Sequence, residues 1–144
     1  MLEGAILVGT LLAATPAPAG SRDGVLREVT SLTAAGGYDK YPSLAYDGDG
    51  TLWAAWTSTE AGHDRILVRS RTVSGWGQAE RLDGGEGTES GTRLVADGGG
   101  SVRLFWHGRR RGVWSVFTRQ RGSRGWEREQ RVSADGRDAL HPAA

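Results

Sequence analysis

The sequence predicts an all-β protein built from two copies of one antiparallel sheet, and three observations predict it. First, the chain repeats itself at a period of 50 residues. Asp47-Gly48-Asp49-Gly50 returns as Asp97-Gly98-Gly99-Gly100, Trp56 as Trp106, Gly75-Trp76 as Gly125-Trp126, and Arg81-Leu82 as Arg131-Val132. Tyr41-Pro42 is echoed two periods later by His141-Pro142. A fixed period of about 20–50 residues marks a stacked or radial repeat architecture. Second, glycine is abundant, at 23 of 144 residues, and separates short apolar runs as turns separate strands. Third, no segment beyond the first 15 residues sustains a helical apolar stripe.

The elements follow in chain order. Residues 4–14 form an apolar run too short to span a bilayer, which takes ~20 apolar residues. Ala17-Pro18-Ala19 then supplies a small-x-small cleavage pattern, so residues 1–19 read as a signal peptide and the protein as secreted or periplasmic. Glu3 in place of a basic n-region departs from that pattern, and a buried strand or helix is the alternative. Val25–Leu32 aligns with Gly75–Leu82 and Gly125–Val132, which makes 24–32 an outermost strand with no inner strands before it.

The first unit, 33–82, holds four strands. Tyr41–Tyr46 is followed by an Asp-Gly hairpin signal that asks for a primed turn at 47–50. Thr51–Thr57 is apolar on both faces, so both faces are buried. Residues 58–62 read as a polar loop. Arg65–Thr72 alternates, with Ile66 and Val68 on one face and Arg65, Leu67, Arg69 and Arg71 on the other. Trp76–Leu82 is the fourth strand. The second unit, 83–132, repeats this with strands at 91–96, 101–107, 113–121 and 126–132, and residues 133–144 begin a third. Four antiparallel strands per unit make the blade of a β-propeller. A ring takes about four to eight blades, so two blades make an incomplete ring.

"YPSLAYDGDGTLWAAW" followed by "RILVRSRTVSGWGQAERL" resembles the repeat of sialidase-type (BNR-like) bacterial β-propellers over residues 24–144. The Asp-box of that family has a degenerate counterpart at Ser70–Trp76, with Thr72 in the Asp position. The resemblance implies a β-propeller. It carries over no catalytic residue, because the Arg-Ile-Pro element and most catalytic blades are missing. A second resemblance, to Trp-rich propeller lectins, rests on the tryptophans and the Gly-Trp strands.

Composition narrows the function. There is no Cys, net charge is +1, and 17 Arg stand against the single Lys40. Trp53, Trp56 and Trp106 read as core between blades. Trp76 and Trp126 pin the blade edge, with sugar stacking as the alternative. His63, His107 and His141 lack metal-ligand spacing and read as loop histidines, so no metal and no cofactor is expected. Asp47–Gly50 reads as a tight turn rather than a calcium loop. The loops before each first strand and between second and third strands emerge on one rim. Tyr38, Tyr41, His63, His107, Arg109, Arg110 and His141 are the candidate ligand-binding residues there, with Asp39, Glu60, Glu86, Glu89 and Asp138 beside them. Arg109-Arg110-Arg111 is placed in the loop itself. The leading expectation is a non-catalytic repeat module that binds glycans or envelope components, with no nucleic-acid partner and no stable membrane insertion. The alternatives are the N-terminal part of a sialidase-like glycoside hydrolase, and a self-assembling module that associates through exposed blade faces. In a lone chain that exposed flank would leave Phe105 or Trp106 partly uncovered.

Overall fold

The computed structural model describes residues 30–33, 37–84, 88–134 and 139. The signal peptide and most of the stray outer strand, 24–32, lie outside these residues, as do His141, Glu86, Asp138 and most of 133–144. The chain divides into two units, 1–30 and 31–144, and the fold described below is that of the second.

Among the described residues there is no helix, and ten strand segments form two antiparallel sheets. The first sheet runs β1 (Tyr38–Tyr46), β2 (Leu52–Glu60), β3 (His63–Thr72), with the short β4 (Gly75–Trp76) and β5 (Glu80–Arg81) both paired to β3. The second repeats it as β6 (Glu89–Ala96), β7 (Val102–Arg110) and β8 (Val113–Gly122), with β9 (Gly125–Trp126) and β10 (Gln130–Arg131) on β8. The alternation read in the third strand holds: Ile66 and Val68 are fully buried. The doubly apolar second strand is buried on both faces from Trp53 to Ser58.

Three local expectations need correction. The expected polar loop at 58–62 is strand as far as Glu60, closed by the two-residue turn Ala61-Gly62. Both turn residues are left-handed, with φ of 49° and 78°, and Arg111-Gly112 repeats them at 52° and 85°. That is the primed geometry, whose twist matches the flanking strands. The Asp-Gly segments, where a primed turn was expected, instead place only Gly50 and Gly100 at positive φ, 79° and 84°. The Asp47 side chain organises this turn: Oδ1 accepts from the N–H groups of Asp49 (3.1 Å) and Thr51 (2.8 Å), and Oδ2 from Trp53 Nε1 (2.9 Å). Asp97 does the same with Gly99, Ser101 and Gln120. Such Asx bonds are why Asp favours these positions. Third, each fourth strand is broken in two. At the break Gly77 N–H reaches Ser70 O at 2.8 Å, and Glu127 N–H reaches Gln120 O at 2.9 Å. At the degenerate Asp-box turn, Thr72 Oγ1 accepts from Ser74 N–H at 3.2 Å.

The sheets pack face to face, with β6 lying against β1, β2 and β3. One core joins them: Trp53, Ala55, Ile66, Val68 and Leu82 meet Leu94, Val102, Leu104, Trp106 and Phe117. The register shows which faces meet. Trp53 lies in this core, whereas its repeat counterpart Arg103 pairs with Val95 and Gln120 on the far side of the second sheet. Trp106 lies in the core, whereas its counterpart Trp56 is on the far side of the first sheet. The front of one sheet therefore covers the back of the next, and equivalent residues never face each other. Trp106 is accordingly fully buried rather than partly uncovered, and it is Phe105, on the outward face, that stays half-buried. Trp53 is clasped by Trp126, edge-on at 5.5 Å, and by the Arg121 guanidinium at 5.4 Å. Polar bonds lock the same junction: Leu94 N–H to Ser43 Oγ at 2.8 Å, Thr92 Oγ1 to Tyr41 O, and Gly48 N–H to Gly100 O.

Both first strands carry a bulge at the same repeat position, Tyr41 and Gly91, with φ of 55° and 70°. A side chain at Gly91 would run into the His107 imidazole, its Cβ 2.6 Å from Nδ1. The first sheet has the reverse pairing, a large residue at 41 and the small Thr57 where His107 stands. Gly91 and His107 thus share one volume in the second sheet, the glycine giving the imidazole its room. Gly91→Tyr alone is expected to lower unfolding free energy by about 2–4 kcal/mol through overpacking and left-handed strain. Adding His107→Thr should recover about 1–2 kcal/mol of that loss. Urea unfolding of the two single variants and the double variant checks this; strictly additive effects would contradict the shared-volume account.

Candidate functional site

The rim expected from strand direction exists at the end of each sheet where the primed turn meets the start of the first strand. On the first sheet Tyr38 opens β1, Tyr41 sits at the bulge three residues on, and His63 opens β3. Tyr38 is 69 % and Tyr41 52 % exposed, and Leu44 and Tyr46 further along β1 are exposed as well. The bulge twists β1 here and turns Tyr41 to solvent. Lys40 forms an ion pair with Asp64 at 2.9 Å, and its ammonium stands 5.8 Å over the Tyr38 ring. Burial works against the Asp64 carboxylate, but the Thr59 hydroxyl and Lys40 hold its pKa below the usual value. His63 is exposed at the end of β3, opposite Glu60.

The second sheet does not repeat this surface. His107 is a strand residue, not a rim residue: it is 6 % exposed in β7, on the face that carries Arg103 and Phe105, and meets Trp114 edge-on at 5.3 Å. The room vacated at Gly91 lets the imidazole lie flat against the bulge. Arg109 and Arg110 are likewise strand residues, because β7 runs to Arg110 and only Arg111 occupies the turn. Arg109 is exposed and donates from Nε to Gly112 O at 3.0 Å. Arg110 turns inward and pairs with Glu89, its guanidinium 4.7 Å over the Phe117 ring and 3.5 Å from Glu129. His141 lies outside the described residues.

Glu89 is the residue sequence reasoning undervalued. Its side chain is fully buried, accepts from Trp106 Nε1 at 2.8 Å, and sits where a Cβ at Gly108 would come within 3.0 Å of its Cδ. Burial drives its carboxyl up to about 7, against the opposing pull of the Arg110 guanidinium and the Trp106 N–H. A glutamate opening one strand, cross-strand from a glycine and near an arginine closing the next, was the available signal. Among the described residues no group of three or more His, Asp or Glu is placed to hold a metal ion. Among them, too, no helix is long and apolar enough to cross a membrane.

The buried Glu89 predicts a pH dependence. The unfolded chain ionises Glu89 near 4.5, whereas the folded chain keeps the proton to about 7. Between those values the native state binds more protons, so this group's contribution to stability falls as pH rises and is flat above. Glu89→Gln removes the change. The stability difference between the two proteins, followed by urea unfolding from pH 4 to 8, is expected to shift by about 1–3 kcal/mol across that window. A pH-independent difference would contradict it. No known protein family, curated protein or solved structure matches this chain.

Proposed function

We propose that this chain is a non-catalytic, secreted or periplasmic repeat module of β-propeller type, its two sheets acting as blades, and that its tyrosine rim binds glycans or other envelope components. The front-to-back stacking of equivalent sheets supports the blade reading, since a radial array grows by repeating one such junction. The ligand reading is carried by Tyr41. A bulky residue at φ 55° is strained by about 1–2 kcal/mol, and the same position in the second sheet holds Gly91. Tyr41 is half exposed and adds nothing to the core. Strain without a packing return is what a residue kept for an external contact looks like. Tyr38, three residues earlier on the same strand, offers a second exposed ring, and rings of this kind present amphipathic area at small entropic cost. The charged groups around them, Lys40 with Asp64 and Arg110 with Glu89, are engaged in ion pairs and suit positioning rather than chemistry.

Sedimentation of the whole chain with purified bacterial cell-wall sacculi, and titration with a soluble oligosaccharide panel, test this. The chain should co-sediment, and Tyr38→Ala and Tyr41→Gly should each weaken binding at least about tenfold, the loss of a ~1.4 kcal/mol contact. Tyr41→Gly should leave thermal stability unchanged or raised, because the left-handed strain is relieved. No binding to any carbohydrate, or binding untouched by both variants, would overturn the reading.

A further inference from the structure

The two sheets differ most at one pair of equivalent places, and the difference leaves a cavity. On the back of the second sheet, Glu89, Arg110, Phe117 and Glu129 fill the space over Trp106 with an ion pair stacked on a ring. One period earlier these positions are Asp39, Glu60, Leu67 and Ala79, over Trp56. Every one of the four replacements is smaller or loses the cation. Together they open a cavity of about 420 Å³ lined by all five first-sheet residues. Ser58 takes the place of Gly108 and fills the room that the longer Glu89 needs.

The cavity wall contains two polar atoms with nothing to bond. Trp56 is 5 % exposed and its Nε1–H has no partner, whereas Trp106 Nε1–H donates to Glu89. Asp39 Oδ1 is also buried and unpartnered. Burying such groups unsatisfied is costly, so a site that keeps them is built for something that pairs them. The charge balance states what is missing. The second sheet supplies its own guanidinium to its two carboxylates; the first offers the carboxylates of Asp39 and Glu60, and none of the described residues that line the cavity is a cation. A bare cation would satisfy Asp39 and leave the indole N–H orphaned. The complement is a protonated amine with an acceptor oxygen on the neighbouring carbon.

We propose that the cavity over Trp56 binds a vicinal amino alcohol, such as the amine and adjacent hydroxyl of an unacetylated amino sugar. The ammonium bonds Asp39 and faces Glu60, and the hydroxyl oxygen accepts from Trp56 Nε1. The cavity volume suits a single sugar ring or a smaller molecule. This site is on the opposite face of β1 and β2 from Tyr38 and is independent of the tyrosine rim.

Calorimetric titration of the whole chain with glucosamine, ethanolamine, N-acetylglucosamine and glucose, followed in parallel by the Trp56 indole N–H resonance, tests it. Glucosamine or ethanolamine should bind and shift that resonance. N-acetylglucosamine and glucose, lacking the charge, should bind at least tenfold more weakly. A tenfold preference for glucosamine over ethanolamine identifies the sugar as the source, and parity a small amino alcohol. Glu60→Arg installs the counterpart of Arg110 and should abolish binding while the protein stays folded. Asp39→Asn and Glu60→Gln give the same loss less completely, about tenfold, should the arginine variant fail to fold. Tyr41→Gly should leave this binding intact even if it removes carbohydrate from the rim. No binding by either amine, equal binding of N-acetylglucosamine, or binding unaffected by Asp39→Asn and Glu60→Gln would overturn the proposal.

Discussion

The structure depends on covering the second strand of each sheet. β2 is apolar on either side and its counterpart β7 is apolar on the side turned to the first sheet, so neither sheet can rest alone in water. The first sheet gives its front, with Trp53, Ile66 and Val68, to the back of the second, with Leu104, Trp106 and Phe117. Apolar burial of this kind is non-directional. Direction comes from the polar bonds at the seam: Leu94 to Ser43, Thr92 to Tyr41 and Gly48 to Gly100 align the two first strands with each other. Burial drives the stacking, and hydrogen bonds set its register.

Equivalence of fold with divergence of side chain is the second lesson. Backbone devices repeat almost without change: the primed turns, the Asp-organised turns, the bulges and the broken fourth strands. Even the cap on the third strand is kept, since Asp83 Oδ2 accepts from Ile66 N–H at 3.2 Å and Ser133 Oγ from Val116 N–H at 3.1 Å. Side chains change in compensating groups. Gly91 gives room to His107 where the first sheet has Tyr41 and Thr57. Asp39 with Ser58 becomes Glu89 with Gly108. Where compensation is complete the space is filled, and where it is not, over Trp56, a cavity remains. A repeat protein thereby supplies its own reference: the filled copy shows what the open copy lacks.

The two regions with functional character lie on the first sheet because it carries the uncompensated residues. Tyr41 holds a strained backbone that its counterpart avoids, and Trp56 holds an unsatisfied donor that its counterpart satisfies. The second sheet spends its charges internally, Arg110 on Glu89 and Glu129, and so presents a quieter surface. The arginine-rich stretch around 103–131 is consistent with this, since Arg110 stacks on Phe117 of its own sheet, Arg121 on Trp53 of the first, and Arg109 and Arg121 bond backbone carbonyls of their own sheet.

The sequence by itself determined the all-β class, the 50-residue unit, the order of the strands and the burial of Trp53 and Trp56, because turn chemistry and alternation are local and the period needs no partner to be seen. It misread strand ends and turn types, since Ala-Gly and Arg-Gly carry a weaker local signal than Asp-Gly although the twist of the strands selects them. It could not tell which face of each sheet meets the other, and therefore left His107 and Arg110 on the rim and Trp106 on an open flank. Those assignments wait on three-dimensional packing: only when the front of one sheet is laid on the back of the next is Trp106 covered, while the cavity over Trp56 lies on the face of the first sheet turned away from that junction.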